Sequence, residues 1–170
     1  GQTILPRQND APNVFVTRTF SKVYGLAGLR AGVLVGSPDQ MPSLRRVCSP
    51  YNVNAAALAC IPDAIADRNY IEDYVTETIQ SRSRLESSLQ ARGIRYWPSQ
   101  ANFVLAQMAS SKSAAQAFVE QMRRRGILVR DRSADHGCEG CVRFTVGPEE
   151  HTNRLLTALD AVLDELSISQ

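Results

Sequence analysis

Lysine is scarce in this sequence: of 19 basic residues only Lys22 and Lys112 are lysines, and all the others are arginines. Arginine stays protonated in proteins, whereas a lysine amine can lose its proton and attack a carbonyl group. Because this chain uses arginine for nearly all of its positive charge, each of its two lysines is a candidate for chemistry that arginine cannot perform. Lys22 draws attention first, because it follows a serine and lies among three glycines in residues 17–32, TRTFSKVYGLAGLRAG.

The sequence also lacks the features of membrane proteins and nucleic-acid-binding proteins. No apolar run approaches the roughly 18 residues that a membrane-spanning helix needs, and no signal peptide is visible. The net charge is only +2, and the arginines are scattered except for Arg123, Arg124 and Arg125, which end a predicted helix and complement its dipole. We therefore expect neither a membrane nor a nucleic acid among the partners of this chain.

Cysteine is too rare and too irregularly spaced for a disulfide scaffold, since the chain has only Cys48, Cys60, Cys138 and Cys141. The sequence HGCEGC, residues 136–141, does group three potential metal ligands. Zinc normally takes four ligands, however, and no second Cys/His pair completes this set. We expect reduced loop cysteines, no metal site and a cytoplasmic location.

The composition and length of the chain are those of an ordinary globular protein. With 44% hydrophobic and 21% charged residues, 170 residues suffice for one sizeable core, or for one small domain plus part of another. The chain begins with Gly1 rather than Met and passes through a polar stretch directly into an apolar run. We interpret it as a piece of a longer protein.

Strand-like and helix-like segments alternate along the chain. Runs rich in β-branched and aromatic residues predict strands over residues 14–17, 31–35, 94–97, 102–107, 127–130 and 141–146, and the first two are predicted to be buried. Apolar residues at helical spacing predict helices over residues 41–47, 55–66, 70–91, 113–125 and 149–166. Asn54 is placed to cap the second helix, and Gly93 and Gly126 follow the third and fourth. The alternation predicts an α/β or α+β architecture.

Ser21, Lys22 and Arg30 together suggest one particular chemistry. Lys22 follows a predicted strand end, where α/β folds place their ligands. Ser21 supplies a hydroxyl group, and Arg30 supplies a planar guanidinium suited to phosphate. An amine beside a phosphate anchor is what pyridoxal phosphate requires. On composition alone, an ordinary surface lysine beside a turn remains the simpler interpretation.

Five segments carry a more specific signal. They are TFSK at residues 19–22, GLAGLRAG at 25–32, PYNVN at 50–54, PSQANF at 98–103 and VRFTVG at 142–147. In this order they resemble the class II aminotransferases of fold type I, which depend on pyridoxal 5′-phosphate, and among these the histidinol-phosphate aminotransferases. The resemblance extends over nearly the whole chain.

The resemblance implies a fold and a division into domains. Residues 1–69 would be the C-terminal part of the large α/β domain that binds pyridoxal phosphate, and residues 70–170 the small α+β domain. In this family an Asp that pairs with the cofactor's pyridine nitrogen, and a Tyr that bonds its 3′-oxygen, precede the lysine by a distance that would place them before Gly1. We therefore expect the chain to be inactive by itself.

The resemblance also implies roles for individual residues. Lys22 would bind the cofactor covalently and carry a proton between the substrate Cα and the cofactor. Ser21 and Arg30 would hold the cofactor phosphate. Arg143 would pair with the α-carboxylate of the substrate, and Arg130 would help to grip a phosphate group on the substrate.

The residues themselves leave alternatives open for the two substrate arginines. Arg143 shares one face of its predicted strand with Cys141 and Thr145, opposite an apolar face, so it needs an anionic partner. A structural ion pair would satisfy that need as well as a substrate carboxylate would. Arg130 could likewise be neutralised by its neighbour Asp131.

The implied activity converts histidinol phosphate and 2-oxoglutarate into imidazole acetol phosphate and glutamate. Amino acids and 2-oxo acids would be the small-molecule partners, and a second copy of the protein would complete a cytoplasmic homodimer. An aromatic amino-acid aminotransferase, a threonine-phosphate decarboxylase and a non-catalytic domain of the same fold are the alternatives. Asn102 could line the substrate site, or it could only satisfy backbone groups where its strand begins.

Overall fold

A computed structural model describes residues 3–168, and the chain divides into two compact units. The first unit extends to Glu72 and the second begins at Asp73, so the division falls inside one long helix. Within the described residues, no helix is both long enough and apolar enough to cross a membrane. Each unit is described separately below.

The first unit contains a two-stranded antiparallel sheet and two helices. Strand β1 (Val16–Thr19) pairs with β2 (Gly32–Val35), which brings Thr19 opposite Gly32. The helices are α1 (Met41–Val47) and α2 (Ala55–Ala66), and short 3-10 segments cover Leu5–Asp10 and Ala27–Leu29. Both helices begin and end where the sequence predicts.

The prediction that the first two strands are buried is wrong. Val33, Leu34 and Val35 remain 44%, 44% and 38% exposed, and β1 is mostly exposed too. In the described part of this unit the two strands pair only with each other, so their apolar side chains have no second layer to pack against. The buried residues lie beyond the sheet, in the cluster of Phe20, Ala31 and Ala57.

The second unit is a four-stranded antiparallel sheet covered by helices. Helix α3 (Arg68–Ala91) leads into it from the first unit. The strands are β3 (Tyr96–Trp97), β4 (Phe103–Gln107), β5 (Arg130–Asp131) and β6 (Cys141–Thr145), arranged in the order β3-β4-β6-β5. The other helices are α4 (Lys112–Arg124) and α5 (Glu149–Ile168). The edge strands β3 and β5 are shorter than predicted, because only two residues of each pair with a neighbouring strand.

The core of the second unit lies between one face of this sheet and the helices. Its strand residues alternate along β4 and β6, and its largest helix residues come from α3, α4 and α5. The fully buried side chains include Val104, Ala106, Val142, Phe144 and Val146 from the sheet, and Leu85, Leu89, Phe118, Met122, Leu159 and Val162 from the helices. Phe118 meets Phe144 edge to face, with ring centroids 6.3 Å apart.

Cys141 departs from the predicted alternation. It was expected to share the polar face of its strand with Arg143, yet it is only 1% exposed. Cys141 stands at the start of β6, where the preceding turn is held against the end of β4 by hydrogen bonds from Met108 N and Ala109 N to Gly140 O. The Cys141 thiol donates a hydrogen bond to Glu139 O of the same turn at 3.7 Å, so its burial accompanies contacts of the turn that alternation along the strand does not predict.

The difference in burial between the units predicts a difference in local stability. Arg45 and Arg46 lie in the last turn of α1, which buries no residue, whereas Arg123 and Arg124 lie in the last turn of α4, which buries Phe118 and two others. Because protease cleavage needs local opening, trypsin should cut after the first pair about tenfold faster or more. The measurement is limited proteolysis with mass spectrometry of the fragments.

The two arginine pairs are matched controls for each other, because each is exposed and each lies at the end of a helix. Cleavage of both pairs at the same rate would show that the first unit is as stable as the second.

Candidate active site

Lys22 lies in the loop that connects β1 to β2. The loop is closed at its base by hydrogen bonds from Phe20 N to Ala31 O (3.3 Å) and from Leu26 N to Phe20 O (3.0 Å). A turn from Lys22 to Gly25 follows, and Gly25 adopts a φ of +66°, which residues with a side chain rarely take. The Lys22 side chain is exposed, and its amine makes no hydrogen bond or ion pair with any described residue. The Lys22 amine therefore has no competing partner among the described residues.

Ser21 and Arg30 stand near the two ends of the same loop. The Ser21 hydroxyl accepts a hydrogen bond from Thr19 Oγ1 at 2.9 Å, and Thr19 is paired with Gly32 across the sheet. Arg30 adopts a φ of +51°, and its Nη1 donates to Ala27 O at 2.7 Å. A guanidinium has five N–H groups, so the others stay available for an anion. The structure thus gathers the three predicted cofactor residues at one end of the first unit's sheet.

Asn54 fixes this loop to helix α2, a role that sequence reasoning missed. Its Oδ1 accepts the hydrogen bond from Ala57 N at 2.9 Å, which is the predicted cap. Its Nδ2 also donates to Leu29 O at 2.7 Å, directly before Arg30. From the sequence, Asn54 was expected to cap the helix and belonged to a family-like segment, but neither signal predicted its bond to Leu29 O.

Arg143 and Arg130 face each other on neighbouring strands of the second unit. Arg143 lies on β6, directly opposite Arg130 on β5 and Leu105 on β4. Its guanidinium carbon is 5.1 Å from the centre of the Phe103 ring, and its Nε is buried with no hydrogen-bond partner among the described residues. Like charges directly opposite each other destabilise a sheet unless an anion lies between them. The pair therefore forms a positively charged patch suited to an anion.

Asp131 does not neutralise Arg130 in this structure. Its carboxylate accepts a hydrogen bond from Ser133 N at 2.8 Å. The pKa of Asp131 lies below its ordinary value, and the largest cause is the nearby Ser133 side chain, followed by the Ser133 N–H. Of these two groups, only the N–H has the geometry of a hydrogen bond to the carboxylate. Among the described residues, no ion pair involves Arg130 or Arg143. The described residues therefore do not contain the structural ion pairs that were the alternative explanation for these two arginines.

Asn102 is half-buried at the start of β4. Its backbone carbonyl accepts a hydrogen bond from Val146 N at 2.8 Å, while its side chain makes no hydrogen bond with the described residues. Two residues of α3 hold the segment before it: Arg82 donates to Ala101 O at 3.0 Å, and Glu86 accepts from Ser99 N at 3.0 Å. No local sequence pattern predicts these contacts, because they join positions that lie well apart in the chain.

The predicted site residues thus form two groups, one in each unit. Ser21, Lys22 and Arg30 belong to the first unit, while the second unit carries the arginine pair and Asn102. The His and Cys residues of 136–141 form no metal cluster: in residues 3–168, no three His, Cys, Asp or Glu side chains are placed to share an ion.

Residues 2–159 match the model of the family described as Aminotransferase class I and II, and the chain belongs to this family. Among curated relatives, it is 38% identical over 154 residues to histidinol-phosphate aminotransferase 1 of Nitrosococcus oceani. This match covers 91% of the chain but only 40% of the relative. The chain therefore spans about two fifths of the length of the curated relatives it resembles.

Solved structures confirm the predicted fold class. The histidinol-phosphate aminotransferase of Sinorhizobium meliloti, solved with pyridoxal 5′-phosphate, matches with a TM-score of 0.81 and 30% identity, over 92% of this chain and 43% of that one. The L-threonine-O-3-phosphate decarboxylase of Porphyromonas gingivalis matches with a TM-score of 0.73 and 24% identity, over 94% of this chain and 49% of that one. The second likeness shows the shared fold alone.

Asn54 offers a test of how the cofactor loop is held. Asn54→Ala removes both the helix cap and the bond to Leu29 O, and should destabilise the first unit by about 0.5–2 kcal/mol. Hydrogen exchange of the Ala57 amide and of the amides of residues 20–31 would measure the loss.

Asn52→Ala is the matched control, because Asn52 is exposed and makes no hydrogen bond with the described residues. Equal effects of the two substitutions on residues 20–31 would contradict the anchoring role of Asn54.

Proposed function

We propose that this chain is the lysine-bearing and C-terminal part of a pyridoxal-phosphate-dependent aminotransferase that acts on histidinol phosphate and 2-oxoglutarate. The observation that carries the proposal is that the exposed Lys22 lies with Ser21 and Arg30 in one closed loop, in a chain of the aminotransferase family. The identity of 38% to a histidinol-phosphate aminotransferase favours this substrate.

The residues of the first unit fit pyridoxal 5′-phosphate. When bound, this cofactor supplies an aldehyde that joins an amine, and a pyridine ring that withdraws electrons from the attached carbon. Lys22 would form the covalent bond, and its freed amine would then move a proton at the substrate Cα. Ser21 and Arg30 would hold the phosphate through a hydroxyl and a planar pair of N–H donors.

The arginine pair of the second unit fits the two kinds of anion that the proposed substrates carry. Arg143 would bind the carboxylate of an amino or 2-oxo acid, and Arg130 would bind the phosphate of histidinol phosphate. Two adjacent cations support a phosphorylated substrate, because a phosphate monoester carries more negative charge than the single carboxylate of an aromatic amino acid. Asn102 would line this site, because its side chain has no partner among the described residues.

The proposed organisation follows the relatives. Residues 1–69 would belong to the large domain and residues 70–170 would form the small domain, in a cytoplasmic homodimer. The exposed apolar side chains of β2 support this arrangement, because further strands of a complete large domain would cover them. The remaining cofactor contacts would then come from outside this chain, so the chain would be inactive by itself.

The cofactor assignment can be tested with the two lysines of the chain. In the complete enzyme, which would supply the remaining cofactor contacts, incubation with pyridoxal phosphate followed by borohydride reduction should attach the cofactor to Lys22, as located by peptide mass spectrometry. Lys22→Arg should abolish this labelling, because a guanidinium does not form the bond. Lys112→Arg is the matched control and should leave the labelling unchanged.

The decisive readout is the ratio of labelling at Lys22 to labelling at Lys112. Any exposed lysine reacts slowly with an aldehyde, so some labelling of both residues is expected as background. Equal labelling of Lys22 and Lys112 would overturn the assignment of Lys22.

The substrate assignment can be tested at Arg130 in the complete enzyme. Arg130→Ala should lower kcat/KM for histidinol phosphate by about 10- to 100-fold, the effect of losing one charged hydrogen bond, and should hardly change kcat/KM for phenylalanine. Arg124→Ala, at an exposed position on α4, is the control. An unchanged ratio of the two activities would favour aromatic amino acids as substrates, and release of carbon dioxide from threonine phosphate would favour the decarboxylase.

A further inference from the structure

The loop between β5 and β6 ends in a tightly fixed turn that carries two cysteines. Cys141 N donates to Cys138 O at 2.9 Å, which closes a four-residue β-turn. Gly140 has a φ of +72°, and a Cβ atom there would lie 1.8 Å from Ala109 O. The Gly140 carbonyl accepts hydrogen bonds from Met108 N and Ala109 N at 2.9 and 3.2 Å. Only glycine fits this position, and the turn is held in one conformation.

This turn places the Cα atoms of the two cysteines at a separation that a disulfide can bridge. The first and fourth Cα atoms of a β-turn are less than about 7 Å apart, and disulfides usually join Cα atoms separated by about 4.4–6.8 Å. Burial raises the pKa of the Cys141 thiol, and the neighbouring Cys138 thiol adds to the rise. Neither cysteine is in a disulfide in this structure, and the Cys141 thiol donates a hydrogen bond to Glu139 O at 3.7 Å.

The surroundings of the turn give a small oxidant a way in. Cys138 is half-buried, whereas Cys141 is 1% exposed, so a reagent reaches Cys138 first. A cavity of about 350 Å³ adjoins the turn, and Gly137, Glu139 and Cys141 contribute to its lining. A small reagent can therefore approach the turn from this side.

We propose that Cys138 and Cys141 form a redox-active dithiol, which small disulfides such as glutathione disulfide oxidise to an intramolecular disulfide. The Cys138 thiolate attacks one sulfur of the reagent, a mixed disulfide forms, and the first thiol leaves. Cys141 loses its proton, attacks the Cys138 sulfur and expels the second thiol. The two cysteines lose two electrons in total, the reagent gains them, and the two protons end on the released thiols. This inference does not depend on the aminotransferase assignment.

The experiment uses the full chain with Cys48→Ser and Cys60→Ser, so that the turn holds its only cysteines. After incubation with glutathione disulfide and acid quenching, the mass of the chain should fall by two hydrogens, with no glutathione attached and no free thiol left. Dithiothreitol should restore the original mass. Retention of glutathione on Cys138, disulfide-linked dimers or two unmodified thiols would each overturn the proposal.

Single substitutions separate the roles of the two cysteines. In the same background, Cys141→Ser and Cys141→Ala should both accumulate a stable glutathione adduct on Cys138, because no second thiol can expel it. Cys138→Ser should leave the buried Cys141 thiol at least tenfold less reactive than Cys138. Agreement between the serine and alanine variants, with unchanged circular dichroism, excludes misfolding as the cause, whereas equal reactivity of the two thiols would contradict the assigned order of attack.

A chain that keeps only Cys60 is the control, with the other three cysteines replaced by serine. Cys60 is exposed on α2 and has no second thiol in this variant, so it should gain one glutathione and keep it. If Cys60 also lost its glutathione, loss of glutathione would not require a second thiol, and the role assigned to Cys141 would be contradicted.

Discussion

The pairing of β4 with β6 is the interaction on which the second unit depends. It sets Val104 opposite Phe144 and Leu105 opposite Arg143, so one face of the sheet is apolar and the other carries the arginine. Because the side chains of a strand alternate, a shift of one residue in this register would put Arg143 into the core and Phe144 into solvent. The separate pairing of β5 with β6 sets Arg130 opposite Arg143. The core therefore depends on the register of β4 with β6, and the arginine pair on the register of β5 with β6.

In the first unit, the shorter pairing of β1 with β2 positions the loop that carries the candidate cofactor residues. Thr19 opposite Gly32 closes the loop that contains Ser21, Lys22 and Arg30, and Asn54 fixes the loop from the side of α2. Few side chains are buried here, so the hydrogen bonds of the backbone hold the loop more than packing does. A loop held in this way can present an exposed amine, since the lysine itself contributes nothing to the core.

Much of the fold was predicted from the sequence because local rules dominate at those places. Helix α1 and helix α2 have the predicted bounds, since a proline-containing first turn and the Asn54 cap mark where each begins. The burial of Val142, Phe144 and Val146 followed from alternation along the strand and is confirmed. Burial of β2 was predicted from its apolar composition and is wrong, because composition does not tell whether a second layer is present to cover a strand.

The sequence alone determined which residues have reactive side chains and which family the chain belongs to, because segments such as TFSK and GLAGLRAG are read directly from the order of residues. It also determined most helix ends, which depend on neighbours within one turn. Only the tertiary structure decided that Asp131 bonds to Ser133 rather than to Arg130, that α3 holds the segment before Asn102, and that Cys141 is buried beside Cys138. The physical reason is that each of these outcomes depends on the folded path of the backbone, which fixes the partner that lies within a few ångströms, and residue type alone does not specify that partner.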